Sequence, residues 1–205
     1  MLLEQLREIV WKCNLELPKN DLVKMTSGNV SGRDRETGLV VIKPSGFSYD
    51  EMLPEHMVVV DLSGRVIEGD HKPSVDTDTH LYVYQRRPDV FGMAHTHSPY
   101  ATSFAVLGQP IPACLTTCAL LGGEVPLGGY APIGGAEIGQ EIIDNIGRAL
   151  AIVMQNHGVH FRKSGNCEVE NSRGSFDLGG HLRNLHPGAK RICAMELLQG
   201  LADGG

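Results

Sequence analysis

Short apolar stretches alternate along this chain with segments whose apolar residues recur at helical spacing. This alternation predicts strands that pack against helices. The predicted strands cover residues 39–43, 57–62, 65–68, 90–97 and 149–154, with one more within 25–34. The predicted helices cover residues 3–16, 77–86, 100–107 and 133–146, and Pro18 is expected to stop the first. Together these elements predict an α/β sandwich around a mixed sheet.

The composition argues against several classes of protein. The chain has 205 residues and a formal net charge of −6, whereas general nucleic-acid binding requires a basic face. No apolar run is long enough to span a membrane, and the first residues begin an amphipathic helix rather than a signal peptide. The five cysteines include no CxxC pair. We therefore expect a reduced, cytoplasmic, single-domain protein with neither a membrane nor a nucleic-acid partner.

The apolar strand that begins at Val90 ends in His95-Thr96-His97. Residues i and i+2 of a strand point to the same face, so the two imidazoles lie side by side. Neutral imidazole is the commonest metal ligand in proteins, and this spacing predicts that both histidines bind the same metal ion. The alternative is a strand end with two half-buried histidines. A cupin barrel is disfavoured because no acidic residue follows within residues 98–106.

A catalytic zinc ion usually takes three protein ligands and keeps one position open. Among the remaining histidines, only His157 stands where an apolar strand ends in a turn, next to Gly158. We therefore predict His157 as the third ligand, against the simpler interpretation of a surface histidine. Asp76 precedes a predicted helix, so it is either an N-cap or a carboxylate that binds the ion or moves a proton.

Five short motifs in this order resemble the class II aldolase family, which includes L-ribulose-5-phosphate 4-epimerases and L-fuculose-phosphate aldolases. They are Gly28-Asn29-Val30-Ser31, Lys43-Pro44-Ser45-Gly46, Pro73-Ser74-Val75-Asp76, His95-Thr96-His97-Ser98 and Asn156-His157-Gly158. The resemblance covers roughly residues 3–160. It implies a single-domain α/β/α sandwich with a central mixed, largely antiparallel sheet. It also implies a homotetramer with active sites between neighbouring subunits.

The resemblance implies a role for each matching residue. His95, His97 and His157 would bind Zn²⁺, or another divalent ion such as Mn²⁺ or Co²⁺, and Asp76 would be a fourth ligand or the catalytic acid/base. Small loops would hold the phosphate of a small phosphorylated sugar through backbone amides, hydroxyls and a lysine charge. The residues of these loops are Gly28, Asn29, Lys43, Ser45, Gly46, Ser74 and Val75. Taken singly, each loop is also compatible with an ordinary turn.

The resemblance implies a metal-dependent epimerase that breaks and re-forms the C3–C4 bond of L-ribulose 5-phosphate. The alternative is an aldolase that cleaves L-fuculose 1-phosphate or a similar ketose phosphate. Leu120 stands where many epimerases carry an aspartate, so the choice stays open. A third interpretation is a catalytically impaired metal-binding relative, although non-catalytic members such as the adducin domain lack the metal-binding histidines that this chain keeps.

The sequence departs abruptly from the family pattern after Val159. We predict a class II aldolase-type domain over residues 1–160 and an atypical C-terminal tail of the same domain over residues 161–205. The segment from Val159 onward is expected to be poorly packed or disordered, with one short helix near Met195–Leu198, and to lower turnover. A frameshift in the gene near residues 160–165 and a truly divergent C-terminus both explain the change.

Overall fold

The computed structural model describes residues 1–164, which form one sheet with helices on both faces. The helices are α1 (Glu4–Lys19), α2 (Thr77–Arg86), α3 (Pro99–Leu107) and α4 (Glu137–Asn145). The strands are β1 (Asn29–Arg33), β2 (Val40–Ile42), β3 (Val58–Val60), β4 (Val66–Glu68), β5 (Val90–Thr96), β6 (Leu127–Gly128), β7 (Ala151–Met154) and β8 (Val159–Ser164). Short 3-10 helices lie at Pro54–His56 and Thr116–Leu121. No helix among residues 1–164 combines the length and apolar character needed to cross a membrane.

The eight strands follow the order β4-β3-β2-β1-β5-β8-β7-β6. All neighbouring pairs are antiparallel except β6 and β7, which are parallel. The sheet is therefore mixed and largely antiparallel, and the predicted α/β fold class is confirmed. Strands β1, β5 and β8 form its centre, so the ends of these strands are held by hydrogen bonds on both sides.

Each face of the sheet has its own apolar core, because successive side chains of a strand point to opposite faces. On β2, Val41 packs with α1 and α3, whereas Val40 and Ile42 pack with α2 and α4. All three side chains are fully buried. Full burial of such a side chain contributes about 1.5–3 kcal/mol, so the two cores hold the helices firmly against the strand ends.

Helix α1 continues past the position where the sequence predicted its end. Pro18 lies inside the helix, which ends at Lys19. A proline lacks only its own N–H, and the amides of Asn20 and Asp21 still donate to the carbonyls of Glu16 and Pro18. The expectation that Pro18 stops the helix was wrong: the helix includes Pro18 and ends three residues beyond the predicted range, because a proline in the last turn interrupts few helical hydrogen bonds.

Residues 159–164 correct a second expectation. They form β8, an inner strand between β5 and β7, and Val159, His160, Phe161 and Arg162 are all buried. The prediction of poor packing from Val159 onward is therefore wrong for this strand. Its polar residues are tolerated because the Arg162 guanidinium donates to the main-chain carbonyls of residues 147–149. The rest of the tail, including the helix expected near Met195–Leu198, lies outside the described residues.

Candidate active site

The three predicted metal-binding histidines meet at one edge of the sheet. His95 is near the end of β5, His97 follows that strand, and His157 lies in the turn that joins β7 to β8. The Nε2 atoms of His95 and His97 are 2.8 Å apart. One ring nitrogen from each of the three imidazoles lies within 4.8 Å of the others. The structure thus brings together residues that are far apart in the sequence.

The turn that carries His157 depends on its neighbours. Asn156 has a left-handed backbone with φ of 54°, a conformation that asparagine adopts more readily than most residues. Gly158 lies directly against β5, because a Cβ atom added there would be 2.5 Å from the Thr96 carbonyl oxygen and 3.1 Å from Cε1 of His95. Only glycine permits this approach, which places His157 beside the HxH pair.

The imidazoles are neutral at neutral pH. Burial lowers the pKa of His95 to about 3, and it also lowers the pKa of His97 and of His157. Nδ1 of His95 lies 3.2 Å from the Val159 carbonyl oxygen, which can only accept, so Nδ1 carries the proton. The lone pair of His95 is therefore on Nε2, the atom that faces His97.

This donor set fits a divalent metal ion. Neutral imidazoles with converging nitrogens suit zinc, and they also accept manganese or cobalt. Nδ1 of His157 is buried and has no hydrogen-bond partner within residues 1–164, whereas buried polar atoms normally have one. Among residues 1–164, these three histidines form the cluster with metal-binding geometry.

Asp76 lies beside this cluster and does not act as a helix cap. It occupies the N-cap position of α2, but its side chain makes no capping hydrogen bond. Its carboxylate instead accepts a hydrogen bond of 2.6 Å from Nδ2 of Asn29, which pairs with His95 across β1 and β5. Burial alone would raise the pKa of Asp76. The neighbouring imidazoles of His95 and His80 and the Asn29 amide outweigh it, so the pKa is lowered and the group is ionised.

A pocket of about 320 Å³ joins the histidines to the predicted phosphate loops. All the site residues predicted from the sequence line it: Gly28, Asn29, Lys43, Ser45, Gly46, Ser74, Val75, Asp76, His95, His97 and His157. The glycines have left-handed backbones, with φ of 74° at Gly28 and 64° at Gly46. The loops can therefore turn sharply enough to place small polar groups around one space.

The buried side chain of Lys43 connects the loop that contains Pro44 to the segment that contains Thr26. Its side chain is buried, and Nζ donates to the Thr26 carbonyl at 3.2 Å and lies 4.7 Å from the centre of the Tyr49 ring. Burial lowers the pKa of the Lys43 ammonium to about 8, while the charge of Asp76 opposes this shift. The ammonium thus adds positive charge under the loops and also holds them in place.

Some of the residues at the site were not predicted from the sequence. Thr26 and Ser27 line the pocket next to Gly28-Asn29. Both are small and polar, so extending the predicted Gly28-Asn29 loop by two residues toward the N-terminus would have included them. Ile133 also lines the pocket, but no pattern in its Gly- and Pro-rich surroundings indicates a site. His80 and His160 are fully buried near the predicted ligands, where no local sequence pattern indicates a histidine with a role.

Helix α2 is fixed over β1 by a stripe of polar residues. Asp76, His80 and Tyr84 are four residues apart and share one helix face. Oγ of Ser31 lies 2.7 Å from Nδ1 of His80 and 2.8 Å from the Tyr84 hydroxyl. Burial lowers the pKa of His80 to about 4, so this contact is between neutral groups. The stripe holds the start of α2, and with it Asp76, against the pocket.

The fold and the histidine cluster indicate the family to which this chain belongs. Residues 8–161 match the family described as Class II Aldolase and Adducin N-terminal domain. This match spans more than half of the 205-residue chain, and the chain belongs to that family. The class II aldolases of this family act on sugar phosphates with the help of divalent metal ions.

Solved structures support this assignment. The chain is similar to an L-fuculose 1-phosphate aldolase, with 29% identity, a TM-score of 0.75, and coverage of 97% of this chain and 83% of that one. It is also similar to YgbL from Klebsiella pneumoniae, described as a candidate aldolase/epimerase/decarboxylase, with 28% identity, a TM-score of 0.70, and coverage of 80% and 81%. The l-fuculose-1-phosphate aldolase of Thermus thermophilus shares the fold at 20% identity and a TM-score of 0.68, over 98% and 90% of the two chains.

Proposed function

We propose that this protein is a metal-dependent aldolase that reversibly cleaves the C3–C4 bond of a small ketose phosphate such as L-fuculose 1-phosphate. One observation carries the proposal. A single pocket combines three neutral imidazoles that suit a cation with loops of amides and hydroxyls that suit a phosphate. A small phosphorylated sugar must contact both sets of groups at once.

His95, His97 and His157 would hold the divalent ion, with zinc favoured over manganese or cobalt, and Asp76 is placed to be a fourth ligand. When bound, such an ion polarises a carbonyl and stabilises the negative charge that develops on its oxygen. The three histidines line the same pocket as the loops, so a substrate bound there would contact both and be oriented between them.

Ser74 is well prepared to bind the phosphate. Its Oγ already accepts hydrogen bonds from Nδ2 of Asn29 at 3.1 Å and from the Asp76 amide at 3.3 Å. Both lone pairs are therefore in use, and the hydroxyl proton is free to be donated to a phosphate oxygen. Ser45 and the backbone of Gly28, Gly46 and Val75 would complete the donor set. Asn29 orients Ser74 and Asp76, and Lys43 supplies charge.

Asp76 is the proposed acid/base. It is the carboxylate among the pocket-lining residues of the described chain. The hydrogen bond from Asn29 keeps it ionised and oriented. One of its carboxylate oxygens would take the proton from the substrate C4 hydroxyl as the C3–C4 bond breaks to give the aldehyde. It would then deliver that proton to C3 of the enediolate half, which leaves as the ketone phosphate, and the reverse reaction retraces both transfers.

One sequence feature favours release of the two products over their recombination. Leu120 stands where many epimerases carry an aspartate that acts as an acid/base.

The second candidate is an L-ribulose-5-phosphate 4-epimerase. It is favoured by Asp76, since aldolase relatives carry a glutamate there, and by the stretches from Asn14 to Pro44 and from Lys72 to His80, which are more similar to epimerases.

We also propose a homo-oligomer, with a tetramer as the expected state. Large apolar side chains are exposed on the described chain, including Val106, Leu107 and Tyr130, each about two-thirds exposed. Burial against neighbouring subunits would remove them from water. Light scattering after size-exclusion chromatography measures this state directly.

The decisive experiment incubates Zn²⁺-loaded protein separately with L-fuculose 1-phosphate and L-ribulose 5-phosphate, followed by product analysis. We expect cleavage of the first substrate into a three-carbon ketone phosphate and an aldehyde. Formation of D-xylulose 5-phosphate from the second would favour the epimerase. Absence of turnover with both, in protein that binds Zn²⁺, would support the catalytically impaired alternative.

A further inference from the structure

His160 lies in the centre of the sheet, directly beneath the histidine cluster. It is on β8, in register with His95 of β5 on one side and with Ile152 of β7 on the other. Paired residues of neighbouring strands share a face, so the His160 side chain points toward α2 and α4, as do those of Ile152 and Met93. Its exposed fraction is 1%.

The His160 ring stacks on the ring of His95. Their centroids are 4.3 Å apart and their planes differ by 16°. The rings of His157 and His80 are farther away, with centroids at 5.9 Å and 6.4 Å, and both meet His160 edge-on. The ring nitrogens of His160 are not part of the converging ligand set. His160 therefore contacts a proposed ligand without being one itself.

Hydrogen bonding does not explain why a histidine occupies this position. Neither ring nitrogen of His160 has a hydrogen-bond partner within residues 1–164, and both are buried. Its neighbours on the same face, Ile152 and Met93, are apolar. A buried polar group without a partner is unfavourable relative to an apolar side chain of similar volume. The feature that distinguishes His160 from such a residue is a flat ring that lies parallel to His95.

The orientation of His95 needs two restraints. The hydrogen bond from its Nδ1 to the Val159 carbonyl fixes the direction of that nitrogen, but it leaves the ring free to tilt about this contact. His160, which follows Val159 on β8, supplies a flat surface parallel to the His95 ring, and this surface opposes the tilt. We propose that His160 is a positioning residue, which holds the plane of the His95 imidazole so that Nε2 faces the metal. This inference rests on the proposed metal site.

The test measures Co²⁺ affinity, by competition with a chromophoric chelator, and the visible spectrum of the Co²⁺ form. His160→Leu removes the flat surface, whereas His160→Phe keeps a flat ring, slightly larger than the imidazole, and removes the nitrogens. Because groups that orient a metal ligand typically contribute tenfold to hundredfold in affinity, we expect His160→Leu to lose about that much and to shift the spectrum. His160→Phe should stay close to wild type.

Ile152→Val is the matched control, because it perturbs the same face next to His160 without touching His95. It should leave affinity and spectrum unchanged. His160→Met, which also lacks a flat ring, must lose affinity as His160→Leu does. Wild-type Co²⁺ binding by His160→Leu, or an equal loss in His160→Phe, would overturn the stacking role. Failure of the wild type to bind Co²⁺ would instead overturn the proposed metal site, and this inference with it.

Discussion

The two sides of the pocket are built in opposite ways. The imidazole side (His95, His97 and His157) rests on strand ends and one tight turn, and it presents neutral lone pairs. The loop side (Gly28-Asn29, Lys43–Gly46 and Ser74-Val75) consists mostly of turns, with Asn29 at the start of β1 and Val75 52% exposed, and it presents donors close to a buried ammonium. Sheet register fixes the first side and backbone turns fix the second. One small cavity can therefore hold a cation and an anion, each on its own side.

The largest expected effect is a change in metal affinity, on the imidazole side, without a change in phosphate binding on the loop side. His157→Ala removes one of three converging nitrogens, so Co²⁺ affinity should fall by more than about 100-fold, beyond the loss typical of an outer-shell partner. Binding of inorganic phosphate, measured by calorimetry, should stay unchanged because no loop residue is altered. His56→Ala, a half-buried histidine outside the pocket, is the control. Retained Co²⁺ affinity in His157→Ala would show that the imidazole side is not a metal site.

A smaller effect concerns the stability of the metal-free protein in acid. Unfolded imidazoles take up a proton below about pH 6.5, whereas folded His95 and His80 stay neutral until pH falls to about 3 and about 4. The unfolded state then binds more protons, so the stability present above pH 6.5 is lost as the pH falls toward 4. We expect Tm to drop by about 5 °C or more between pH 7 and pH 5.5. His80→Leu should reduce this drop, and an unchanged pH profile in that variant would contradict the assignment.

The loop side should respond in a different pH window. The pKa of Lys43 is about 8 in the folded protein against 10.5 in the unfolded chain. Between these values the unfolded state binds more protons, so this group makes stability rise with pH from about 8 to 10.5. The Tm of the wild type minus the Tm of Lys43→Met isolates this contribution, and this difference should rise across this window and stay constant below it. If the Tm difference between wild type and Lys43→Met changed only between pH 4 and 6.5, the two sides of the pocket would not titrate in separate pH windows.

The smallest effect is expected from Ser74→Ala, which removes the proposed hydrogen bond to the phosphate. A hydrogen bond to a charged group contributes about 1.5–3 kcal/mol, so KM for the ketose phosphate should rise at least about tenfold. Co²⁺ affinity should change much less than KM, because Ser74 is hydrogen-bonded to Asn29 and to the Asp76 amide and not to the three histidines in the described residues. Ser103→Ala, on the exposed surface of α3, serves as the control. A Ser74→Ala enzyme with wild-type KM would show that this loop is only a turn.

The sequence predicted the structure well where residue spacing follows the geometry of a strand. The i, i+2 spacing of His95 and His97 predicts a shared face, and the structure brings their Nε2 atoms to 2.8 Å. The apolar run before His157 predicts a strand end, and β7 ends at Met154. Roles within the site, such as metal binding by these residues, stay predictions that the experiments above address.

Strand β8 was missed for a physical reason. Its buried residues on the α2 face are His160 and Arg162, and both are polar. The sequence of β8 thus lacks the apolar pattern that predicts an inner strand, because stacking on His95 and hydrogen bonds to carbonyls replace apolar burial. Such compensation depends on neighbours far away in the sequence, so no local pattern contains it.

The position of β8 also sets the order in which the molecule can be assembled. As the chain emerges during synthesis, β5 and β7 are complete before the strand that joins them, and each presents an open edge able to pair with other chains. The contact between His95 and Val159 spans 64 residues, and such long-range pairing slows folding. Docking of β8 therefore closes the sheet at the moment when His157 reaches His95 and His97. A nascent chain that carries only the HxH strand has two of the three histidines and no finished pocket.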